Sequence, residues 1–149
     1  MKGMMPGVPS PAKELGLAGL IPFVVLATAL WYVDPGWQAL VHEALLAYGA
    51  VILSFMGAVH WGLAMPEMDA RERSWQLGLS VVPSLLGWVA LLLPPQVAGY
   101  SVLLIAFALL CVADGRAAKR GLAPEWYPAL RVPLTTVVVA CLIGAALRA

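Results

Sequence analysis

The sequence predicts an all-α integral membrane protein, a bundle of five transmembrane helices. Only 11% of its 149 residues are charged, whereas a soluble domain usually carries about 25%. No Asp, Glu, Lys or Arg occurs in residues 15–33, 44–65, 74–113 or 132–147. A membrane core of about 30 Å needs roughly 20 apolar residues in a helix. The run 74–113 is about twice that length and contains Pro94-Pro95 near its middle, so it holds two of the five spans.

The same counts limit the chain to one folded domain. Five spans of about 20 residues leave roughly 50 residues for tails and loops, which is too few for a second, soluble domain. We predict a mobile N-terminal tail over residues 1–13, because this stretch is rich in Pro and Gly. Residues 14–149 then form a single five-helix transmembrane domain. The net charge of +1 argues against nucleic-acid binding, which requires a strongly basic surface.

The predicted spans follow the charge-free runs and the turn residues between them. They cover approximately residues 15–33, 38–65, 74–93, 97–113 and 132–147. The fifth span is short, at about 24 Å of helix. We therefore expect either local thinning of the bilayer or an extension of this helix back through Arg131, whose long side chain can reach the interface.

Basic residues predict the orientation of the bundle. With five spans, one side of the membrane receives Lys2, Lys13, Arg71, Arg73, Arg116, Lys119, Arg120 and Arg131. The other side receives only Arg148. Loops rich in Lys and Arg stay in the cytoplasm, so the N-terminus is predicted to be cytoplasmic and the C-terminus outside.

Small and polar residues predict which face of the second span points into the bundle. In lipid, helices associate through small residues that let their backbones approach closely. At about 100° per residue, Gly49 and Gly57 share a face with His60, and His42, five turns away, lies on that face too. We therefore predict that this face packs against other helices.

The third span carries a similar stripe of small residues. Ser80, Ser84 and Gly87 follow one another at intervals of four and three residues, which places them on one side of a helix. Pro83 lies among them and lacks a backbone N–H, so a kink or a local loosening is expected there. These residues and the two glycines of the second span are the predicted helix-packing positions.

His60 is the main candidate for an intramembrane polar site. It lies about five residues inside the end of its span, and an ionisable group at such a depth marks a functional site by default. Asp114 follows the fourth span on the same side, with Arg116 and Arg131 just beyond it. Such a group could exchange protons or bind an anion. Alternatively, His60 donates to a backbone carbonyl or to Asp114 and only locks two helices together.

Asp34, His42 and Glu43 form a second candidate polar site, on the opposite, periplasmic side. These residues could coordinate a cation. They could equally be an ordinary hydrated helix start, where the helix dipole favours acidic side chains. His42 and His60 are roughly 27 Å apart along the helix, so one metal ion or substrate cannot be shared between them, although a relay is conceivable.

Motifs for catalysis and cofactor binding are missing from the sequence. It has no Gly-rich phosphate loop, no Cys-x-x-Cys and no Gly-x-Ser-x-Gly elbow. His42-Glu43 begins like a zinc-protease motif, but Leu46 replaces the second His. His60 could ligate a haem or a chlorophyll, yet an obvious second ligand is lacking. We predict no enzymatic activity, no metal site and no cofactor.

Three strings resemble one known family. They are residues 48–62 (YGAVILSFMGAVHWG), 80–88 (SVVPSLLGW) and 124–135 (PEWYPALRVPLT). Together they resemble the small membrane family of unknown function that includes mitochondrial transmembrane protein sixty-nine, and the resemblance extends from about residue 17 onward. It implies a compact helical bundle in a bacterial inner membrane or a mitochondrion. It implies no established activity, so no catalytic residue can be transferred.

Three functional hypotheses follow. The first is a non-enzymatic integral membrane protein that acts through helix packing as an accessory or assembly partner of an inner-membrane energy-converting complex. Its partners would be the lipid bilayer and other membrane protein subunits. The second is a small permease or proton pathway using His60 and Asp114, with His42 as a further group. The third is a pocket for a quinone, a lipid or a pigment beside the Pro83 kink.

Overall fold

The structure of the chain is a computed structural model that describes residues 5–149. Its helices are α1 (Ser10–Ala18), α2 (Ile21–Ala29), α3 (Pro35–Leu63), α4 (Ala70–Leu92), α5 (Gln96–Lys119) and α6 (Tyr127–Ala146). Five segments are long and apolar enough to cross a membrane, and α1 and α2 together form the first of them. Every regular element in the described residues is a helix, which confirms the predicted five-helix membrane bundle.

The first span differs from the prediction because it begins earlier and is divided in two. Pro22, near the start of α2, has no backbone N–H to offer the carbonyl four residues earlier, and the chain turns through Gly19 and Leu20. The Tyr48 hydroxyl donates to the Gly19 carbonyl at 2.9 Å, which satisfies a backbone acceptor at the break. The single helix predicted over 15–33 is therefore two shorter helices.

The folded part of the chain also reaches into the predicted N-terminal tail. Residues 10–13 belong to α1, where a Pro in the first turn is compatible with a helix start. Met5 is buried and packs with Leu130 and Leu134 of α6. Residues 1–4 of the predicted tail lie outside the described residues, and the mobility of the tail stays a prediction.

Both C-terminal helices extend beyond their predicted ends. Helix α5 continues through Asp114 to Lys119, and α6 begins at Tyr127, ahead of Arg131. This extension of α6 is the one expected for a short span. Arg131 itself does not extend to the protein surface, since only 4% of this residue is exposed. The reason is its ion pair with Asp114, since a charged side chain at membrane depth is retained where it has a partner.

Glycines set the closest approaches between α3 and α4. A Cβ added at Gly57 would lie 2.8 Å from Pro83 Cγ, and one added at Gly87 would lie 3.1 Å from the Ala50 carbonyl oxygen. The position of Gly57 therefore needs glycine for this packing, and a side chain at Gly87 would require the Ala50 backbone to shift by a few tenths of an ångström. Helix α4 is continuous through Pro83, and the proline ring fills the space over the glycine of the facing helix.

The other predicted packing positions, Gly49, Ser80 and Ser84, lie on the same two helices, α3 and α4. Gly49 faces α5, where Leu103 Cδ1 would lie 2.8 Å from an added Cβ. Ser80 is buried and donates to the Leu77 carbonyl at 2.6 Å, whereas Ser84 is half-buried. The predicted inward face of α3 is buried along its whole length: His42, Gly49, Gly57 and His60.

The apolar core lies midway along the bundle. Fully buried members come from four helices: Phe23, Leu45, Leu53, Leu103, Phe107 and Leu142. On α3, Leu45 and Leu53 lie between His42 and His60. Apolar side chains therefore separate the two polar regions that the sequence singles out.

Candidate functional site

Four buried polar side chains, each from a different helix, meet inside the bundle. They are His60 of α3, Gln76 of α4, Asp114 of α5 and Arg131 of α6, and we call them the polar cluster. Their exposed fractions are 0, 2, 0 and 4%. His60 Nδ1 lies 2.6 Å from Gln76 Oε1, and its Nε2 lies 3.1 Å from Asp114 Oδ1. Arg131 Nε donates to Asp114 Oδ2 at 2.6 Å. The structure thus brings together three of the four side chains predicted for the intramembrane site.

Asp114 is the centre of the polar cluster, because its two carboxylate oxygens contact two different helices. A buried charge is tolerated when it is paired and hydrogen-bonded, and Asp114 is both. The two ring nitrogens of His60 are occupied as well, so the ring has no free nitrogen for a metal ion, a haem or a pigment. This geometry matches the alternative in which His60 locks helices together.

The polar cluster is connected to the surface through Glu72. Gln76 Nε2 donates to Glu72 Oε1 at 3.5 Å, and Arg120 Nη1 donates to both Glu72 oxygens at 3.1 Å. These residues line an open groove of about 720 Å³ between α4 and α5, which we call the basic groove. Its other charged members are Asp69, Arg71 and Arg116. Arg116, which was predicted as part of the intramembrane site, is exposed in this groove, outside the polar cluster.

On its other side the polar cluster borders a cavity of about 340 Å³, which we call the α6 cavity. Its wall is mostly apolar and comes from α1, α2, α3, α5 and α6. Tyr127, Arg131 and Thr135 are polar residues within this wall. The third functional hypothesis placed a ligand pocket beside Pro83. Pro83 is not part of this wall, because its ring is packed against α3 instead.

The residues of the second predicted site do not come together. His42 is buried; its Nε2 donates to the Arg148 carbonyl at 3.3 Å, and its Nδ1 lies 2.9 Å from the Tyr100 hydroxyl. Asp34 and Glu43 are exposed. Neighbouring residues on a helix point about 100° apart, so Glu43 faces outward where His42 faces inward. In the described part of the chain, no group of three His, Cys, Asp or Glu side chains could hold a metal ion.

Tyr100→Phe is expected to lower the free energy of unfolding by about 1–3 kcal/mol, because buried His42 loses a hydrogen-bond partner while the ring packing is kept. Unfolding of the purified chain in detergent measures this change. Ser101→Ala is the control, since Ser101 is exposed and donates only to the Val97 carbonyl of its own helix; a change within about 0.5 kcal/mol is expected. Equal effects of the two substitutions would contradict a stabilising role for the His42 contact.

Sequence reasoning named Asp114 as a partner of His60 but missed Gln76, and it missed Tyr100 as a partner of His42. Each was visible as a polar side chain in a charge-free run, but only the helix contacts show what it pairs with. It also missed the stripe formed by Tyr127, Arg131 and Thr135. Their four-residue spacing was readable from the sequence and places all three on one side of a helix.

Comparison with known proteins gives the family of the chain. Residues 8–147 match the family described as "Protein of unknown function (DUF3429)". The chain is 44% identical over 142 residues to Transmembrane protein 69 from Xenopus tropicalis, and the aligned region covers 91% of this chain and 53% of that protein. It is 31% identical over 135 residues to Transmembrane protein 69 from Mus musculus, and this aligned region covers 87% of this chain and 52% of that protein.

The chain spans about half the length of these two relatives. No solved structure matches it significantly. The family resemblance noted from the three sequence strings is confirmed, because the matched region includes all of them. Because the family match covers residues 8–147, the chain belongs to the DUF3429 family, which is described as a family of unknown function.

Proposed function

We propose that this multi-pass membrane protein is a non-enzymatic accessory or assembly partner of an energy-converting complex, acting through helix packing in a bacterial inner membrane. One observation carries the proposal: most of the described chain belongs to helices of membrane-spanning segments. The longest connection between those helices runs only from residue 120 to residue 126. Contacts of this region with another protein would therefore be made mainly by helix faces within the membrane.

The outer face of α4 supports this mode of contact. Gly78 is exposed, and a Cβ added there would meet nothing within 4 Å. Ser74 and Val82, one turn before and after it, are exposed too. Small residues on a helix surface let a second helix approach closely, which is how helices associate in lipid. We call these three residues the α4 face and propose that a helix of another subunit packs there.

The polar cluster supports a structural role better than a catalytic one. A general acid or base must contact the group whose proton it moves. Both carboxylate oxygens of Asp114 and both ring nitrogens of His60 are instead engaged by neighbouring helices. The cluster therefore holds α3, α4, α5 and α6 in a defined arrangement, which suits a protein that presents helix faces to a partner.

The alternative, a proton pathway through His60 and Asp114, has less support from the geometry. Hydrogen bonds lead from Glu72 in the basic groove inward to the polar cluster. Beyond it, however, the apolar residues Leu45 and Leu53 lie between His60 and His42 on α3. A pathway across the membrane would need polar groups or water along that stretch.

The proposed orientation places the amino end and the basic groove on the cytoplasmic side. The grouping of Arg71, Arg116 and Arg120 in one groove supports it, because basic residues are retained in the cytoplasm. The first and last spans end at the opposite side of the bundle, where Arg148 Nε donates to the Leu30 carbonyl at 3.3 Å. Arg148 is the one basic residue at that end within the described residues, which supports its assignment to the outside.

Gly78→Leu is expected to reduce association with larger subunits by about tenfold, because a bulky side chain would overpack the helix contact by about 1–3 kcal/mol. The measurement is the fraction of the tagged chain that co-purifies stoichiometrically with other membrane subunits in mild detergent. Gly62→Leu is the matched control, since Gly62 is also exposed, a Cβ added there would also meet nothing within 4 Å, and the residue lies near the end of α3.

Two outcomes would count against the proposal. A wild-type chain that migrates alone as a monodisperse species would contradict the accessory role itself. If Gly78→Leu and Gly62→Leu reduced co-purification equally, the α4 face would not be the place of contact. The existence of a partner would still be supported.

A further inference from the structure

We infer that the α6 cavity binds an uncharged, membrane-soluble molecule through its carbonyl oxygen atoms. Within the described residues, three buried polar atoms have no hydrogen-bond partner: Tyr127 Oη, Arg131 Nη2 and Thr135 Oγ1. The side chains that carry them all line this cavity. Buried polar groups are paired in the great majority of cases, and the interior of a membrane offers little water as a substitute partner. Three unpaired atoms at one cavity indicate a ligand group between them.

The three side chains form one stripe along the helix. Tyr127, Arg131 and Thr135 are four residues apart, so they lie above one another on one side of α6. Each is more than nine-tenths buried, with exposed fractions of 8, 4 and 7%. Three polar side chains therefore lie in a row along one wall of an otherwise apolar cavity.

The polar cluster holds the guanidinium at the centre of this stripe in place. Arg131 Nε donates to Asp114 at 2.6 Å, and its Nη1 lies 2.9 Å from Met56 Sδ. Asp114 is in turn held by His60 at 3.1 Å. The remaining nitrogen, Nη2, is held beside the cavity by these contacts and has no hydrogen-bond partner of its own within the described residues. Binding sites of this kind depend on side chains that are fixed before the ligand arrives.

The chemistry of the unpaired atoms defines the ligand class. A guanidinium nitrogen can only donate, and the Tyr127 and Thr135 hydroxyls can also donate. The ligand must therefore offer acceptor oxygens. The charge of Arg131 is already paired with Asp114, and a second anion would have to enter a mostly apolar wall, which is costly. A neutral carbonyl or ester oxygen meets the requirement without that cost.

The cavity volume limits the size of the bound group. At about 340 Å³, the cavity lies at the small end of ligand pockets, which range over about 300–1,000 Å³. It suits a single ring or a short stretch of acyl chain next to its carbonyl. Two kinds of membrane molecule carry this chemistry, isoprenoid quinones and ester-linked lipids. The experiment below distinguishes them.

The test measures the melting temperature of the full chain in nanodiscs of three compositions: ether-linked lipid alone, ether-linked lipid with added quinone, and ether-linked lipid with added ester-linked lipid. A ligand that binds the folded protein raises its melting temperature in a concentration-dependent way. We expect a saturable rise in one of the two supplemented discs, and the disc that shows it identifies the source. Equal melting temperatures in all three compositions would overturn the proposal.

Two variants make the test specific to the α6 cavity. Tyr127→Phe and Thr135→Val remove hydroxyls that have no partner within the described residues, so both variants should fold at least as well as the wild type in ether-linked lipid alone. Each is expected to raise the ligand concentration needed for half of the thermal shift by about two- to tenfold.

Thr136→Val is the matched control for these variants. Thr136 is exposed and its hydroxyl donates to the Val132 carbonyl at 2.9 Å, on the outer side of α6. The substitution is therefore expected to leave the half-saturating concentration unchanged. The thermal shift could also remain unchanged in all three variants: Tyr127→Phe, Thr135→Val and Thr136→Val. That result would show that the ligand binds elsewhere, and it would also overturn the proposal.

Discussion

Asp114→Leu is expected to lower the free energy of unfolding by about 3–5 kcal/mol. The substitution removes the carboxylate that accepts from Arg131 at 2.6 Å and contacts His60 at 3.1 Å. It leaves the guanidinium buried without a counter-charge, and this is the costly part of breaking a buried ion pair. Equilibrium unfolding of the purified chain in mixed detergent micelles measures the change.

The double variant Asp114→Leu/Arg131→Met separates the unpaired charge from lost packing. If the unpaired charge causes the instability, removing it should restore most of the lost free energy, because apolar replacements of a buried pair are often close to neutral. A double variant that is no more stable than Asp114→Leu would disprove this explanation.

Arg120→Ala is the control for a pair outside the core. Arg120 and Glu72 form an ion pair at 3.1 Å in the basic groove, where the Arg120 side chain is largely exposed. Exposed ion pairs contribute about 0–1 kcal/mol, so the stability of this variant should remain close to that of the wild type. The contrast with Asp114→Leu tests burial as the source of the larger effect.

Gly99→Ala is expected to lower the free energy of unfolding by about 1–3 kcal/mol or more. An added Cβ would lie 2.5 Å from the carbonyl oxygen of Ala90 and 3.3 Å from Leu46 Cδ2. A backbone atom cannot rotate away as a flexible side chain can, so α4 and α5 would have to move apart. Thermal and equilibrium unfolding in detergent measure the loss.

Gly115→Ala, on the same helix, should have the opposite sign. An added Cβ at Gly115 meets nothing within 4 Å, and Ala is a better helix former than Gly by about 1 kcal/mol. The matched pair therefore separates close helix packing from helix propensity. If both substitutions stabilised the chain, close packing at Gly99 would be disproved.

Much of the architecture could be predicted from the sequence, because the insertion of a segment into a membrane depends on the summed hydrophobicity of its residues. The number and order of the spans follow from runs of apolar residues and from the prolines between α4 and α5. The inward face of α3 follows from the helical spacing of His42, Gly49, Gly57 and His60. The break at Gly19 was not predicted, although Pro22 lies inside the predicted span 15–33 and an interior proline removes a helical hydrogen bond.

The candidate site was only partly readable. His60, Asp114 and Arg131 could be assigned to one end of the bundle, but whether they touch depends on how each helix is rotated about its axis. Arg116 illustrates this limit: it lies only two residues from Asp114, yet it faces the basic groove. Asp34 and Glu43 were grouped with His42 by their position in the sequence, but Asp34 precedes α3, Glu43 points away from His42 on the helix, and both are exposed.

The sequence by itself determined that this chain crosses a membrane five times and which residues have an apolar or a polar character, because these properties are additive along the chain. Only the tertiary structure decided which polar atoms meet and which stay unpaired. The physical reason is that hydrogen bonds require contact within about 3 Å, and that distance depends on helix rotation and on the close approaches permitted at Gly57, Gly87 and Gly99.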